Sequence, residues 1–182
     1  QACHEHSINI DLTDHLESLS RLFACSDYAA EVCYKYPHLV DELIHTTLFK
    51  EQTKSDYQRE LNNTIENITD EDGLAAALRI FRHREMLRIA WRDINHLTDL
   101  KNTLTEISDL ADSCLESAKN KLQSFLNLKY GKPTNQFGQL QHLLIIAVGK
   151  LGARELNFSS DVDLIFAYTE NGLTDGMLAI EN

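Results

Sequence analysis

Apolar residues recur at helical spacing through most of this chain. Leu12, Leu16, Leu19 and Phe23 fall on one face of a helix beginning near Asp11. Ser26 reads as the N-cap of a second helix, along which Ala29, Val32, Cys33 and Tyr36 are spaced to meet a neighbour. Pro37 stops that helix and starts a third, with Leu39, Val40, Leu43 and Ile44 apolar. Tyr57, Leu61, Ile65 and Ile68 continue the period in a fourth. Between Gly73 and Ile94 the apolar positions Leu78, Phe81, Met86, Leu87, Ile89 and Trp91 wrap much of the circumference, which predicts a helix deep in a bundle. From Thr98 to about Leu126 a near-heptad seam runs through Leu100, Leu104, Ile107, Ala111, Cys114, Ala118 and Phe125. Thr98 or Asp99 would cap this helix, and the small residues on its seam favour packing within the chain over a coiled-coil dimer. Gly131 and Pro133 end it.

The pattern then changes. Leu143 to Val148 is a short apolar run that predicts a buried strand. Gly149-Lys150-Leu151-Gly152 breaks it with a tight turn, a polar segment reaches Ser159-Ser160, and Asp161-Val162-Asp163 runs into a second strand ending at Tyr168. Alternation along that strand places Asp161 and Asp163 on one side and Val162 toward the core. Residues 169–176 read as a polar, turn-rich loop. Residues 1–135 thus form a helical region and residues 136–182 a segment with strands.

Composition narrows the function classes. A net charge of −11 over 182 residues argues against non-specific nucleic-acid binding, which needs Lys and Arg to neutralise phosphates. No apolar run is long enough to span a membrane. Cys3, Cys25, Cys33 and Cys114 show neither CxxC pairing nor a disulfide framework, so reduced, mostly buried thiols in a cytoplasmic protein are expected. Cys3, His4 and His6 include metal-ligating types, but a disordered terminus is the favoured reading there.

Candidate chemistry concentrates at Gly149–Asp163. Two carboxylates on one face repel each other unless a cation sits between them, and Mg²⁺, or Mn²⁺ in its place, takes such hard oxygen ligands while leaving room for water and phosphates. Metals held this way clamp the oxygens of an in-line phosphoryl or nucleotidyl displacement. Backbone N–H groups of the glycine turn would hold phosphate oxygens. Arg79, Arg82, Arg84, Arg88 and Arg92 are too spread around their helix to form one stripe. Ion pairing with this acidic chain is the favoured reading for them, with one or two reaching the phosphate site as the sharper one.

The order apolar run, glycine turn, Ser-Asp-x-Asp and strand resembles the DNA polymerase β-type nucleotidyltransferases. GKLGARELNFSSDVDLIFAY and the arginine-rich ALRIFRHREMLRIAWRDI are, more narrowly, similar to the bifunctional glutamine synthetase adenylyltransferase/adenylyl-removing enzymes. The wording from Glu155 to Asp161, with Asn157 where the adenylylating copy typically has Gly, resembles the N-terminal, adenylyl-removing half. Ala153 stands where the family usually has a second Gly, which the turn tolerates if φ is negative there. The resemblance implies a helix-rich α+β fold, with a helical bundle leading into the first strands of a nucleotidyltransferase sheet. It implies Asp161 and Asp163 as catalytic metal ligands, and Gly149, Lys150, Gly152 and Ser160 at the nucleotide phosphates. Glu155 and Asn157 are expected to brace the turn. The implied reaction is phosphorolysis of AMP from a glutamine synthetase tyrosine, with phosphate entering and ADP leaving, and a PII-type signalling protein as regulator. The third carboxylate of such enzymes comes from a strand further downstream. Glu170, Asp175 and Glu181 lack an apolar strand context, so the chain reads as truncated and inactive alone. The competing readings are the ATP-dependent adenylylating half and a non-catalytic docking module.

Overall fold

The computed structural model describes residues 12–176. After a 3₁₀ turn at Thr13–His15 come six helices: α1 Leu16–Cys25, α2 Asp27–Lys35, α3 Pro37–His45, α4 Lys54–Ile65, α5 Glu71–Ile94 and α6 Leu100–Tyr130. Strand β1 (Pro133–Asn135) follows, then β2 (Leu144–Val148), the one-turn helix α7 (Gly149–Gly152), β3 (Asp163–Ala167) and β4 (Gly172–Thr174). The architecture is α+β and helix-rich. Cys3, His4, His6 and Glu181 lie outside the described residues.

The expected caps form where the side chains demand them. Ser26 Oγ accepts from the Ala29 N–H at 3.1 Å, Pro37 occupies the first turn of α3, and Asp99, not Thr98, caps α6 by accepting from the Asn102 N–H at 2.8 Å. Gly131, at φ +84°, ends α6 after 31 residues, or about 46 Å at 1.5 Å per residue.

Helix α5 is the axis of the bundle. Its Leu87 and Trp91 join Leu19, Leu22, Val32, Leu39 and Leu43 of α1–α3 in one cluster. Its Phe81, Met86 and Ile89 join Tyr57 and Leu61 of α4 and Ile107 and Leu110 of α6 in another. The first-helix expectation is corrected in detail: Leu19 and Leu22 are buried, whereas Leu16 and Phe23 are exposed. The face of α1 that packs is set by where α5 lies, which apolar spacing alone does not locate. Leu100, at the start of the expected seam on α6, is likewise exposed, and Thr103, Ser113 and Ser117 are buried among the helix contacts instead.

Burial of α5 carries charge inside. Arg84, Arg88 and Arg92 are at most 9% exposed, and Glu85 is fully enclosed. Arg88 donates to Glu85 Oε2 at 2.7 Å, Glu106 Oε1 at 2.8 Å, Tyr57 Oη at 2.7 Å and the Lys50 carbonyl at 2.7 Å. Burial works against the guanidinium charge, and Tyr57, Glu85 and Glu106 more than offset it, so its pKa is raised. Arg84 pairs with Glu42, Glu60 and Glu85. The ion-pairing reading of these arginines therefore holds.

The strands form two antiparallel pairs, β1 with β4 and β2 with β3. In the second, Ala147 lies opposite Leu164 and Val148 opposite Asp163. Two expectations change here. The polar loop after Tyr168 contains a strand, since Gly172–Thr174 pairs with Pro133–Asn135 through backbone groups without any apolar period. And β2 is not a buried strand: Ala147 and Leu164 pack inward, while Ile146 and Ile165 share an outer face at 47% and 52% exposure. None of the described cysteines is in a disulfide; Cys33 is buried, Cys114 is half-buried and Cys25 is exposed, so the expectation of mostly buried thiols is also revised.

Replacing Arg88 by Met should cost about 3–5 kcal/mol, because Glu85 and Glu106 would stay buried without their cation. Changing all three residues to apolar ones of similar volume should cost far less. Urea denaturation of the three proteins distinguishes these outcomes.

Candidate active site

Both glycines of the turn are required by geometry. Gly149 adopts φ +60°, and a Cβ there would lie 3.0 Å from Asp163 Oδ2, so the turn backbone abuts this carboxylate. A Cβ on Gly152 would approach the Ala147 carbonyl oxygen to 2.6 Å. Ala153 has φ −83°, the condition under which alanine is accepted in place of a second glycine. The turn closes through the Ala153 N–H on the Gly149 carbonyl at 3.0 Å and the Glu155 N–H on the Lys150 carbonyl at 2.8 Å.

The polar segment is organised by Asn157. Its Oδ1 accepts from Ser160 Oγ at 2.6 Å and from the Ser159 N–H at 3.2 Å. Lys150 Nζ donates to Ser160 Oγ at 3.2 Å, so Lys150, Ser160 and Asn157 form one chain of hydrogen bonds across the loop. Asn157 thus braces the loop.

Strand β3 starts at Asp163, so Asp161 and Val162 precede it rather than belonging to it. Val162 is 39% exposed and not part of the core. Together with Leu164, Met86, Leu110, Cys114, Asn157 and Ser160 it lines a cleft of about 240 Å³ beneath the loop. Burial pushes the Cys114 thiol there up to about 12. Arg82 stands on the same cleft. Unlike those of Arg84, Arg88 and Arg92, the side chains of Arg82 and Arg79 form no ion pair or hydrogen bond with a described residue.

Asp161 and Asp163 are exposed, and neither carboxylate forms a hydrogen bond or ion pair with a described residue. Among the described residues no group of three or more His, Cys, Asp or Glu could hold an ion. Two free carboxylates nevertheless suit Mg²⁺ or Mn²⁺, which commonly take one or two carboxylates and fill the remaining positions with water and substrate phosphates. Glu170 and Asp175 are engaged elsewhere: Glu170 accepts from Asn135 Nδ2 at 3.2 Å and Asp175 from the Lys132 N–H at 2.6 Å.

The loop is seated on α6 through contacts that the pattern of residues did not single out. Leu151 and Leu156 are buried against Ile107 and Leu110, and the Leu156 N–H donates to Ser108 Oγ at 3.3 Å. Arg154, at φ +59°, pairs with Asp109 at 2.6 Å and Asp112 at 3.6 Å. Nothing in the spacing signals a partner for Arg154 so far back in the chain.

Residues 16–182 match the family described as glutamate-ammonia ligase adenylyltransferase, and the chain belongs to that family. It is 40% identical over 167 residues to the bifunctional glutamine synthetase adenylyltransferase/adenylyl-removing enzyme of Thioalkalivibrio sulfidiphilus, covering 91% of the chain and 17% of that protein. The corresponding proteins of Shewanella frigidimarina and Acinetobacter baylyi are each 37% identical, over 88% and 91% of the chain and 17% and 18% of their own lengths. The chain thus spans less than a fifth of the curated relatives it matches. Among the described residues, no helix is long and apolar enough to cross a membrane.

Gly152→Ala should destabilise the turn by about 1–3 kcal/mol, because the methyl group meets a backbone carbonyl that cannot swing away. Ala153→Gly should change stability by less than about 1 kcal/mol. Thermal melts of both variants check the contrast.

Proposed function

We propose that this chain carries the adenylyl-removing site of a bifunctional glutamine synthetase adenylyltransferase, on the first strands of a DNA polymerase β-like nucleotidyltransferase sheet. The observation that carries the reading is the glycine turn abutting the Asp163 carboxylate, in a member of a family named for adenylyl transfer. The choice of the removing half rests on Asn157, whose carbonyl holds Ser159 and Ser160 in place. A glycine at that position has no side chain with which to do so.

In this reading an oxygen of inorganic phosphate attacks the α-phosphorus of AMP esterified to a glutamine synthetase tyrosine. The new P–O bond makes ADP, the bond to the tyrosine oxygen breaks, and that oxygen takes up a proton. Asp161 and Asp163 would hold Mg²⁺ or Mn²⁺, which when bound would neutralise the phosphoryl oxygens. In this reading the Gly149–Gly152 turn, Lys150 and Ser160 contact the phosphates, and Arg82, without a carboxylate partner among the described residues and on a cleft that Ser160 also lines, is the arginine proposed to meet an anionic group. The proposed partners are glutamine synthetase, a PII-type protein, ATP or ADP and phosphate, in the cytoplasm.

The test uses the protein at its full natural length with adenylylated glutamine synthetase, Mg²⁺ and phosphate, with ADP as the readout. Release should require phosphate and fall on the order of a hundredfold or more in Asp161→Asn, the scale of losing one electrostatic contact to the transition state. ADP release unchanged by Asp161→Asn would place the chemistry elsewhere and contradict the reading.

A further inference from the structure

Arg154 sits between two buried anchors, Leu151 and Leu156, and takes the left-handed conformation at φ +59°, which is unfavourable for a long side chain. What holds it there lies on α6. Its guanidinium meets Asp109 at 2.6 Å and Asp112 at 3.6 Å, and Asp112 also receives Lys54 of α4 at 3.3 Å. Asp109 is only 13% exposed and Arg154 is half in solvent. Pairing with Asp109, first by the hydrogen bond and then by charge, raises the Arg154 pKa. A pair this accessible contributes little to global stability. Its geometric effect is larger, because it fixes the turn's exit to the rigid helix, three residues before Asn157 and seven before Asp161.

We propose that Arg154 is a positioning residue: its pairing with Asp109 and Asp112 sets the glycine turn and the following loop so that Asp161 and Asp163 meet one cation. Arg154 itself touches α6 and not the ligand. The proposal rests on the reading of Asp161 and Asp163 as metal ligands.

The experiment is Mn²⁺ titration of the full-length protein followed by electron paramagnetic resonance, with melting temperature measured in parallel. Arg154→Gly removes the ion pair while relieving the backbone, so the melting temperature should hold or rise, whereas Mn²⁺ affinity should fall about 10-fold or more, the range for residues that orient metal ligands. Asp109→Asn combined with Asp112→Asn removes both partners from the helix side without changing any residue of the turn, and should weaken Mn²⁺ binding to a similar degree. Arg154→Lys should restore most of the affinity. Unaltered Mn²⁺ affinity in Arg154→Gly, alongside complete loss in Asp161→Asn, would overturn the positioning role and leave the metal site standing. A loss in Arg154→Gly that the Asp109→Asn, Asp112→Asn double variant does not reproduce would also overturn it, because Arg154 would then act other than through its pairing with α6. Mn²⁺ binding indifferent to Asp161→Asn would sink the metal-site reading and this proposal together.

Discussion

A guanidinium with no access to solvent, Arg88, holds the centre of this molecule. It joins α5 to α4 through Tyr57, to α6 through Glu106 and to the segment before α4 through the Lys50 carbonyl. Taking such a charge out of water costs several kcal/mol, and only a complete set of partners offsets that cost. The partners come from separate elements, so the network forms only in one mutual arrangement of the three helices. Apolar packing would tolerate small rotations of α6 on α5; the Arg88–Glu106 contact at 2.8 Å does not.

That constraint reaches the candidate site through α6. Glu106 lies two residues before Ser108, which receives the Leu156 N–H, and three before Asp109, which receives Arg154. The same stretch of helix is therefore gripped from one side by the buried charges and grips the glycine turn on the other. Leu151 and Leu156 complete the seat by joining the apolar cluster of α4, α5 and α6. The strands contribute less to holding the site. The β2–β3 pair has an exposed outer face on which Ile146, Val148, Asp163 and Ile165 lie together, and its inner face closes only partly over the cleft bordered by Val162 and Arg82. A firmly seated turn beside a lightly packed strand entrance leaves both aspartates exposed to solvent.

Much of this was legible from residue order because it is local. Ser26, Pro37, Asp99 and Gly131 act within a few residues of themselves, so their roles as helix boundaries follow from stereochemistry. The all-round apolar character of the Gly73–Ile94 segment announced a buried helix, and the acidic composition pointed to ion pairing of its arginines, which Arg84, Arg88 and Arg92 show and Arg79 and Arg82 do not. The glycine turn was visible too, since only glycine accepts φ +60° there without strain. What depended on distant partners was not. Whether Leu16 or Leu22 of α1 is buried depends on where Trp91 lies. Strands β1 and β4 consist of Pro, Thr, Asn, Gly and Leu in three-residue pieces, and backbone pairing across the chain creates them. Arg154 and Asp109 are separated by 45 positions and carry no spacing that links them. Asp161 was expected within the strand, but β3 starts two residues later because Val148, the last residue of β2, pairs with Asp163 and leaves no partner further along.

The glycine turn and the long helix behave as one mechanical unit, held by the buried charges, and hydrogen exchange of backbone amides in the full-length protein can show whether they do. The Leu156 amide should open with the same free energy as the amides of Ile107 and Leu110, within about 1 kcal/mol, as residues of one cooperative unit do. A Leu156 amide that exchanges hundreds of times faster than those of Ile107 and Leu110 would show the turn moving independently of α6 and would break this coupling.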